Sequence, residues 1–188
     1  MLFKSKGNSV IVKLCKFAAI AAILVIGACK ESEIYPNIPL IDFKNYALLL
    51  EPITKDTLIK VTIGYKDGDG DIGLNPEDTF PPFNYIPDTF NKNTNPYFDN
   101  FHVEYLERKN GIWKPLINPE SKDTLTFSAR IENITPEGKF KAIRGTMEAE
   151  FFLPFYNERS DTILINVWIY DRALHKSNVV QSPVIVLR

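Results

Sequence analysis

Residues 65–78, YKDGDGDIGLNPED, set Asp67, Asp69 and Asp71 at alternate positions around Gly68 and Gly70, with a fourth aspartate, Asp78, eleven residues after the first. Hard divalent cations take oxygen ligands, and alternate carboxylates of a tight loop converge on one point when glycines permit the curvature. Three carboxylates within five residues repel one another at neutral pH unless a cation joins them. The expected chemistry is calcium binding, with magnesium disfavoured because it demands a near-ideal octahedral shell. The competing expectation is a solvated acidic turn, since Asp and Gly are good turn formers.

Counted as an EF-hand loop, Asp67, Asp69 and Asp71 fill positions one, three and five, Gly73 offers its carbonyl at seven, Asn75 falls at nine and Asp78 at twelve. Ile72 stands where that loop has glycine, Asp78 where it has a bidentate glutamate, and a strand rather than a helix leads in. The expectation is therefore a calcium loop on a β scaffold, with Asp67, Asp69, Asp71, Gly73 and Asp78 as ligands. A second acidic turn, YDRALHKSN at 170–178, follows the strongest late strand pattern. Asp171 is expected to complete the shell, or else to open an ordinary hairpin turn.

Other chemistry is sparse. His102 and His175 are the two histidines, and neither belongs to a metal-binding pair; His102 alternates outward on its strand and is expected to face solvent. Asp171, His175 and Ser177 supply the residue types of a hydrolase triad, but they crowd one short turn, whereas triads are assembled from separate elements. Glu104, Glu148 and Glu150 alternate to outer faces, where paired carboxylates for glycoside hydrolysis compete with a plain solubilising role. The expectation is a protein that binds rather than catalyses. Trp168 and Tyr170 share an outward face with Asn166. They form either a platform for a sugar or protein partner or a surface covered by the long aromatic segment described below.

The elements that position these residues read as strands. In TLIKVTIGY the residues Ile59, Val61, Ile63 and Tyr65 alternate with Lys60, Thr62 and Gly64, the signature of a half-buried strand. The same period recurs through Phe101–Tyr105, Leu125–Ile131, Met147–Leu153 and Ile163–Ile169, and PVIVL closes the chain. Asn110-Gly111 marks a tight hairpin and TPEG at 135–138 another turn. Six to eight short strands without a helical period predict an all-β domain, an antiparallel β-sandwich of immunoglobulin-like or fibronectin-III-like kind, with an up-and-down barrel as the alternative. In the immunoglobulin-like arrangement TLIKVTIGY is the second strand and ILINVWIY the sixth, and the loops after them emerge at one end. The segment from Leu74 to about Asn100 carries five prolines among Phe and Tyr residues, and is expected to be functional or mobile.

The N-terminus reads as an address. Lys4, Lys6, Lys13 and Lys16 precede an uncharged apolar run from Phe17 to Ala28, too short to span a bilayer comfortably. Ile26, Gly27, Ala28 and Cys29 resemble a bacterial lipobox. The resemblance implies a lipoprotein signal peptide over 1–28, lipidation of Cys29, a membrane partner through that lipid, and an acidic tether over 29–39 ahead of a single domain, 40–188. Cys29 would be the only cysteine left, so no disulfide supports the fold. Without the four leader lysines, the balance of 22 basic against 23 acidic side chains moves to about −5, which argues against a nucleic-acid partner.

Taken together, YKDGDGDIGL after a strand, the lipobox and YDRALHKSN near the C-terminus look like Bacteroidetes-type surface lipoproteins with an immunoglobulin-like domain. Glu31 and Glu33 after the cysteine are similar to their acidic export tags. The late turn is similar to the D-x-A-G-N-x-S turn of bacterial immunoglobulin-like domains, with Leu174 and His175 where Gly and Asn would stand. The resemblance implies an outer-membrane location, surface-exposed or on the periplasmic face. The role it leaves open is a binding or scaffold module, or an accessory carbohydrate-binding lipoprotein of a glycan-uptake system.

Overall fold

In the computed structural model the described residues are 34–54, 57–89, 92–118, 122–137, 141–153 and 162–187. The expected signal peptide, Cys29, Glu31 and Glu33 lie outside them. The described residues form nine antiparallel strands and no helix: β1 (Leu40–Leu50), β2 (Thr57–Asp67), β3 (Phe101–Lys109), β4 (Ile112–Pro115), β5 (Thr126–Ala129), β6 (Ile143–Phe152), β7 (Thr162–Ile169), β8 (Val180–Gln181) and β9 (Ile185–Val186). One sheet has the order β1-β2-β6. The other runs β4-β3-β7-β8, with β5 also on β3 and β9 also on β7. The two sheets face each other as an all-β sandwich.

The alternation seen in the sequence becomes the core. Ile59, Val61 and Ile63 of β2 and Phe151 of β6 are buried against Phe101, Val103, Tyr105, Ile163, Ile165, Val167 and Ile169 of the other sheet. At about 25 cal/mol per Å² of apolar surface removed from water, each fully buried Ile or Phe contributes roughly 1.5–3 kcal/mol. Tyr105 carries its hydroxyl across the core and donates to the Phe152 carbonyl at 3.1 Å, because a buried phenol needs an acceptor. Burial lifts the pKa of that phenol.

Local chemistry sets the connections. Asn110 and Gly111 both have positive φ, 52° and 80°, which is what a two-residue turn joining Lys109 to Ile112 requires. The 125–131 run is shorter as a strand than its alternation suggests. Only Thr126–Ala129 pair with β3, and Ile131 instead gives its N–H to the Asn100 side chain at 2.6 Å. β1 shows no clean period because its register slips between Phe43 and Asn45 where it pairs with β2.

The described end of the expected tether, residues 34–39, makes contact with the domain. Pro36 accepts the Gly68 N–H at 2.8 Å and Pro39 is buried, so the last residues before β1 lie against the acidic loop.

Candidate metal centre

The stripe of β2 that buries Ile59, Val61 and Ile63 continues two residues past Tyr65 to Asp67. Period two thus aims a carboxylate into the end of the sandwich, and Asp67 is 0 % exposed. Its Oδ2 accepts the Asp71 N–H at 2.9 Å, which closes the loop on itself. Its Oδ1 is buried and has no hydrogen-bond partner among the described residues, and the same holds for Oδ1 of Asp69 and of Asp71. One oxygen from each of the three residues lies within 4.8 Å of the others. Ligands about 2.4 Å from a shared calcium ion stand at most about 5 Å apart, so the spacing admits that ion.

Electrostatics point the same way. Burial, with Asp69 next to it, pushes the Asp67 carboxyl up to about 7. Burial, then the charges of Asp171 and Asp69, pushes Asp71 up to about 6. Carboxylates at such values are charged at neutral pH only at a cost, and a divalent cation removes it.

The loop turns away from the cluster after Asp71. Ile72 is fully buried and bridges to Asp171. Gly73 adopts φ +98°, and a Cβ there would sit 2.1 Å from the Glu132 carbonyl oxygen, so the position needs glycine to pass the 131–133 segment. Leu74 donates its N–H to Ile131 at 2.9 Å. The side chains at EF-hand positions nine and twelve are engaged elsewhere. The Asn75 amide oxygen accepts from Asn133 at 2.9 Å, and Asp78 accepts the Asn75 N–H at 2.7 Å. Asp78 is also gripped by Arg172, at 2.5 and 3.4 Å, which holds its carboxyl below the usual range. Asp78 is therefore a clamp residue here and not a member of the cluster, contrary to the expectation from spacing.

The late turn does reach the acidic loop. Arg172 donates its N–H to the Asp71 carbonyl at 3.2 Å and Ala173 donates to Asp71 Oδ2 at 3.1 Å, leaving Oδ1 for the cluster. Arg130 donates to the carbonyls of Asn75 and Asp78 at 3.2 and 3.0 Å. Asp171 is 2 % exposed, and its oxygens accept the His175 N–H at 2.7 Å and the His175 ring at 2.9 Å. It lies close enough to Asp71 to raise that group, yet it stands outside the converging trio. Asn178 clasps Ile41 by both N–H and C=O at 2.8 Å, tying the start of β1 to the same turn. Spacing alone did not flag Arg172, Arg130 and Asn178. Their signal was a cation or amide in each partner segment, legible only once the pairing of 71–78 with 130–133 and 170–178 is known.

Triad geometry is absent from that turn. Ser177 Oγ accepts the Ile169 N–H at 3.0 Å and donates to the Asn178 carbonyl at 2.8 Å, so its proton is not directed at His175. Glu148 and Glu150 both bridge Lys60, at 3.1 and 3.0 Å, while Glu104 accepts from Asn166 at 2.9 Å in the other sheet.

On the outer face of β3 and β7, His102 does not face open solvent as expected. It stacks on Trp168, its cross-strand partner, with centroids 5.4 Å apart and planes 7° apart, and its Nε2–H donates to the Pro96 carbonyl at 2.9 Å. Burial lowers its pKa. Lys176 sits 4.4 Å from the Trp168 centroid, and Tyr97 meets Tyr170 edge-on at 5.1 Å. Tyr97 of the long aromatic segment thus covers part of Tyr170, while His102 and Lys176 lie against Trp168, and both Trp168 and Tyr170 are half-buried. Comparison with known protein families, with curated proteins and with solved structures returns no match.

Proposed function

We propose that this chain is a lipid-anchored cell-envelope binding or scaffold module whose DGDGDIG loop holds a structural calcium ion. The observation that carries the metal reading is the convergence of three buried carboxylate oxygens without hydrogen-bond partners, one of them on the fully buried Asp67. Asp67, Asp69 and Asp71 hold the ion, Asp171 stands by as a fourth carboxylate, and Gly73 shapes the exit of the loop. Calcium is favoured over magnesium because the carboxylates come from a curved loop rather than an octahedral cage. The strand order, 1-2-6 facing 4-3-7-8, supports the fibronectin-III-like type. The location, an outer membrane reached through Cys29, rests on the lipobox resemblance, and the surface orientation on the Bacteroidetes-type acidic tag. A binding rather than enzymatic role is favoured by the hydrogen bonds that occupy Ser177.

The test is a thermal melt in calcium, in magnesium and in chelator, repeated on Asp69→Ala. Calcium at about 100 times its Kd adds roughly 2.7 kcal/mol to native stability by mass action. A calcium-specific rise that vanishes in Asp69→Ala supports the site; superimposed melts sink it.

The second reading, an accessory carbohydrate-binding lipoprotein, is favoured by one observation. Half-buried Trp168 and Tyr170 lie beside the polar chain Glu104, Asn166 and Gln181, in which Gln181 donates to Asn166 at 3.0 Å. Aromatic faces next to polar side chains suit a sugar ring. Quenching of Trp emission by a glycan panel, lost in Trp168→Ala, is the expected outcome; a panel without any response removes this reading.

A further inference from the structure

The acidic loop has a second contact that its ligand chemistry does not require. Gly68 sits between Asp67 and Asp69, and its N–H donates to the Pro36 carbonyl at 2.8 Å. The three atoms nearest the place a Cβ would take on Gly68 all belong to this segment: the Tyr35 carbonyl oxygen lies 2.2 Å from it, and Asn37 Oδ1 and the Pro36 carbonyl carbon each 3.0 Å. Lys66, one residue before the loop, sets its ammonium 5.6 Å from the Tyr35 ring centroid. Leu40 then pairs with Lys66 as β1 begins, and Asn178 clasps Ile41 from the other side. Residues 35–37 form a strap laid backbone to backbone on the metal loop.

Resting on the metal reading above, we propose that cation loading of Asp67, Asp69 and Asp71 locks this strap, so that the ion governs the rigidity of the domain's N-terminal entry. Gly68 cannot move while its two neighbours are both ligands. With the ion removed, the carboxylates of buried Asp67 and half-buried Asp69 and Asp71 repel and the loop opens. The Gly68 N–H then loses its fixed aim at Pro36, and the strap loses its seat. Coupling of this kind is reciprocal: whatever factor calcium adds to strap docking, the docked strap adds to calcium affinity.

Gly68→Ala separates the two. Gly68 is not in the left-handed φ region, so alanine suits the loop backbone itself, and the atoms it would overlap all belong to the strap. The experiment uses the full chain in detergent, with calcium alone as the probe, and reads amide exchange at residues 37, 38 and 68 together with calcium affinity by titration calorimetry. In the parent, calcium is expected to slow these amides at least tenfold over chelator. In Gly68→Ala the strap amides exchange fast with or without calcium, and affinity falls by about the same tenfold. Parent amides indifferent to calcium, despite a calcium-dependent melt, overturn the coupling while leaving the metal site standing, as does Gly68→Ala with parent affinity. A parent melt that ignores calcium removes the metal reading and the coupling with it. Should Gly68→Ala fail to fold, Lys66→Ala with Tyr35→Ala loosens the same strap from its outer side and carries the same expectations.

Discussion

Asp67→Asn should move stability in opposite directions with and without calcium. The amide keeps an oxygen to accept the Asp71 N–H now held at 2.9 Å, so the loop closure survives. What disappears is a buried negative charge. A shift of the Asp67 carboxyl from 3.8 to about 7 corresponds to about 4 kcal/mol in a dry setting. The half-exposed flanks at Asp69 and Asp71 admit solvent and reduce that to about 1–2 kcal/mol. For a domain of this size each kcal/mol moves the midpoint by about 2–4 °C. In chelator at pH 8 the variant is expected to melt roughly 3–6 °C above the parent, while the calcium-dependent rise is lost. The pH dependence follows from the direction of the shift. A raised carboxyl favours the protonated fold, a contribution present in full below 3.8 and lost as pH rises through about 7. The advantage of the variant therefore shrinks toward pH 5. Differential scanning calorimetry in chelator and in calcium, at pH 5 and 8, measures all four corners. A variant that melts below the chelated parent at pH 8, or that retains the calcium rise, refutes the argument.

Three further outcomes are expected. Gly73→Ala places a Cβ on the Glu132 carbonyl at a φ of +98° and should cost about 2–4 kcal/mol in a urea melt. Arg172→Met and Asp78→Asn should each cost about 1–2 kcal/mol and together clearly less than their sum, read as a double-mutant cycle; the depressed Asp78 carboxyl makes this clamp strongest above the ordinary carboxylate range and weakens it as pH falls through the folded value. His102, lowered by burial, favours the fold as neutral imidazole, so its contribution is present above about 6.5 and lost as pH falls through the folded value. A change in Trp168 emission with a midpoint below 6.5, gone in His102→Gln, checks it.

Much of this arrangement is written in local pattern. The β2 stripe that buries Ile59 and Ile63 is the stripe that delivers Asp67, so both strand and candidate ligand are visible at period two. Asn110-Gly111 announces its turn because only a few residue types accept positive φ twice. The failures have a common physical origin. Asp78 reads as a ligand by spacing, but its partner Arg172 is 94 residues away and is brought beside it only by the sandwich. His102 reads as solvent-facing because alternation says which side of the sheet a residue takes and not what lies over that side. Here Pro96 and Trp168 meet it there. The docking of residues 35–37 on Gly68 is hidden for the same reason, since proline-punctuated polarity at 36–39 does not say which loop it lies against.

The placement of the strap has a mechanical meaning. β1 starts at the end that carries the acidic loop, where Leu40 faces Lys66, whereas β9 faces Ile163 at the opposite end of β7. Tension applied through residue 34 and resisted by the rest of the sandwich runs along β1, so its ladder to β2 is loaded in shear, all rungs together, rather than peeled one at a time. The first contact to bear that tension is Gly68–Pro36, and a cation seated beside it, as proposed above, would brace that contact. In a domain held by the N-terminal anchor proposed above, the far end, with the Asn110-Gly111 turn, would be the end presented outward.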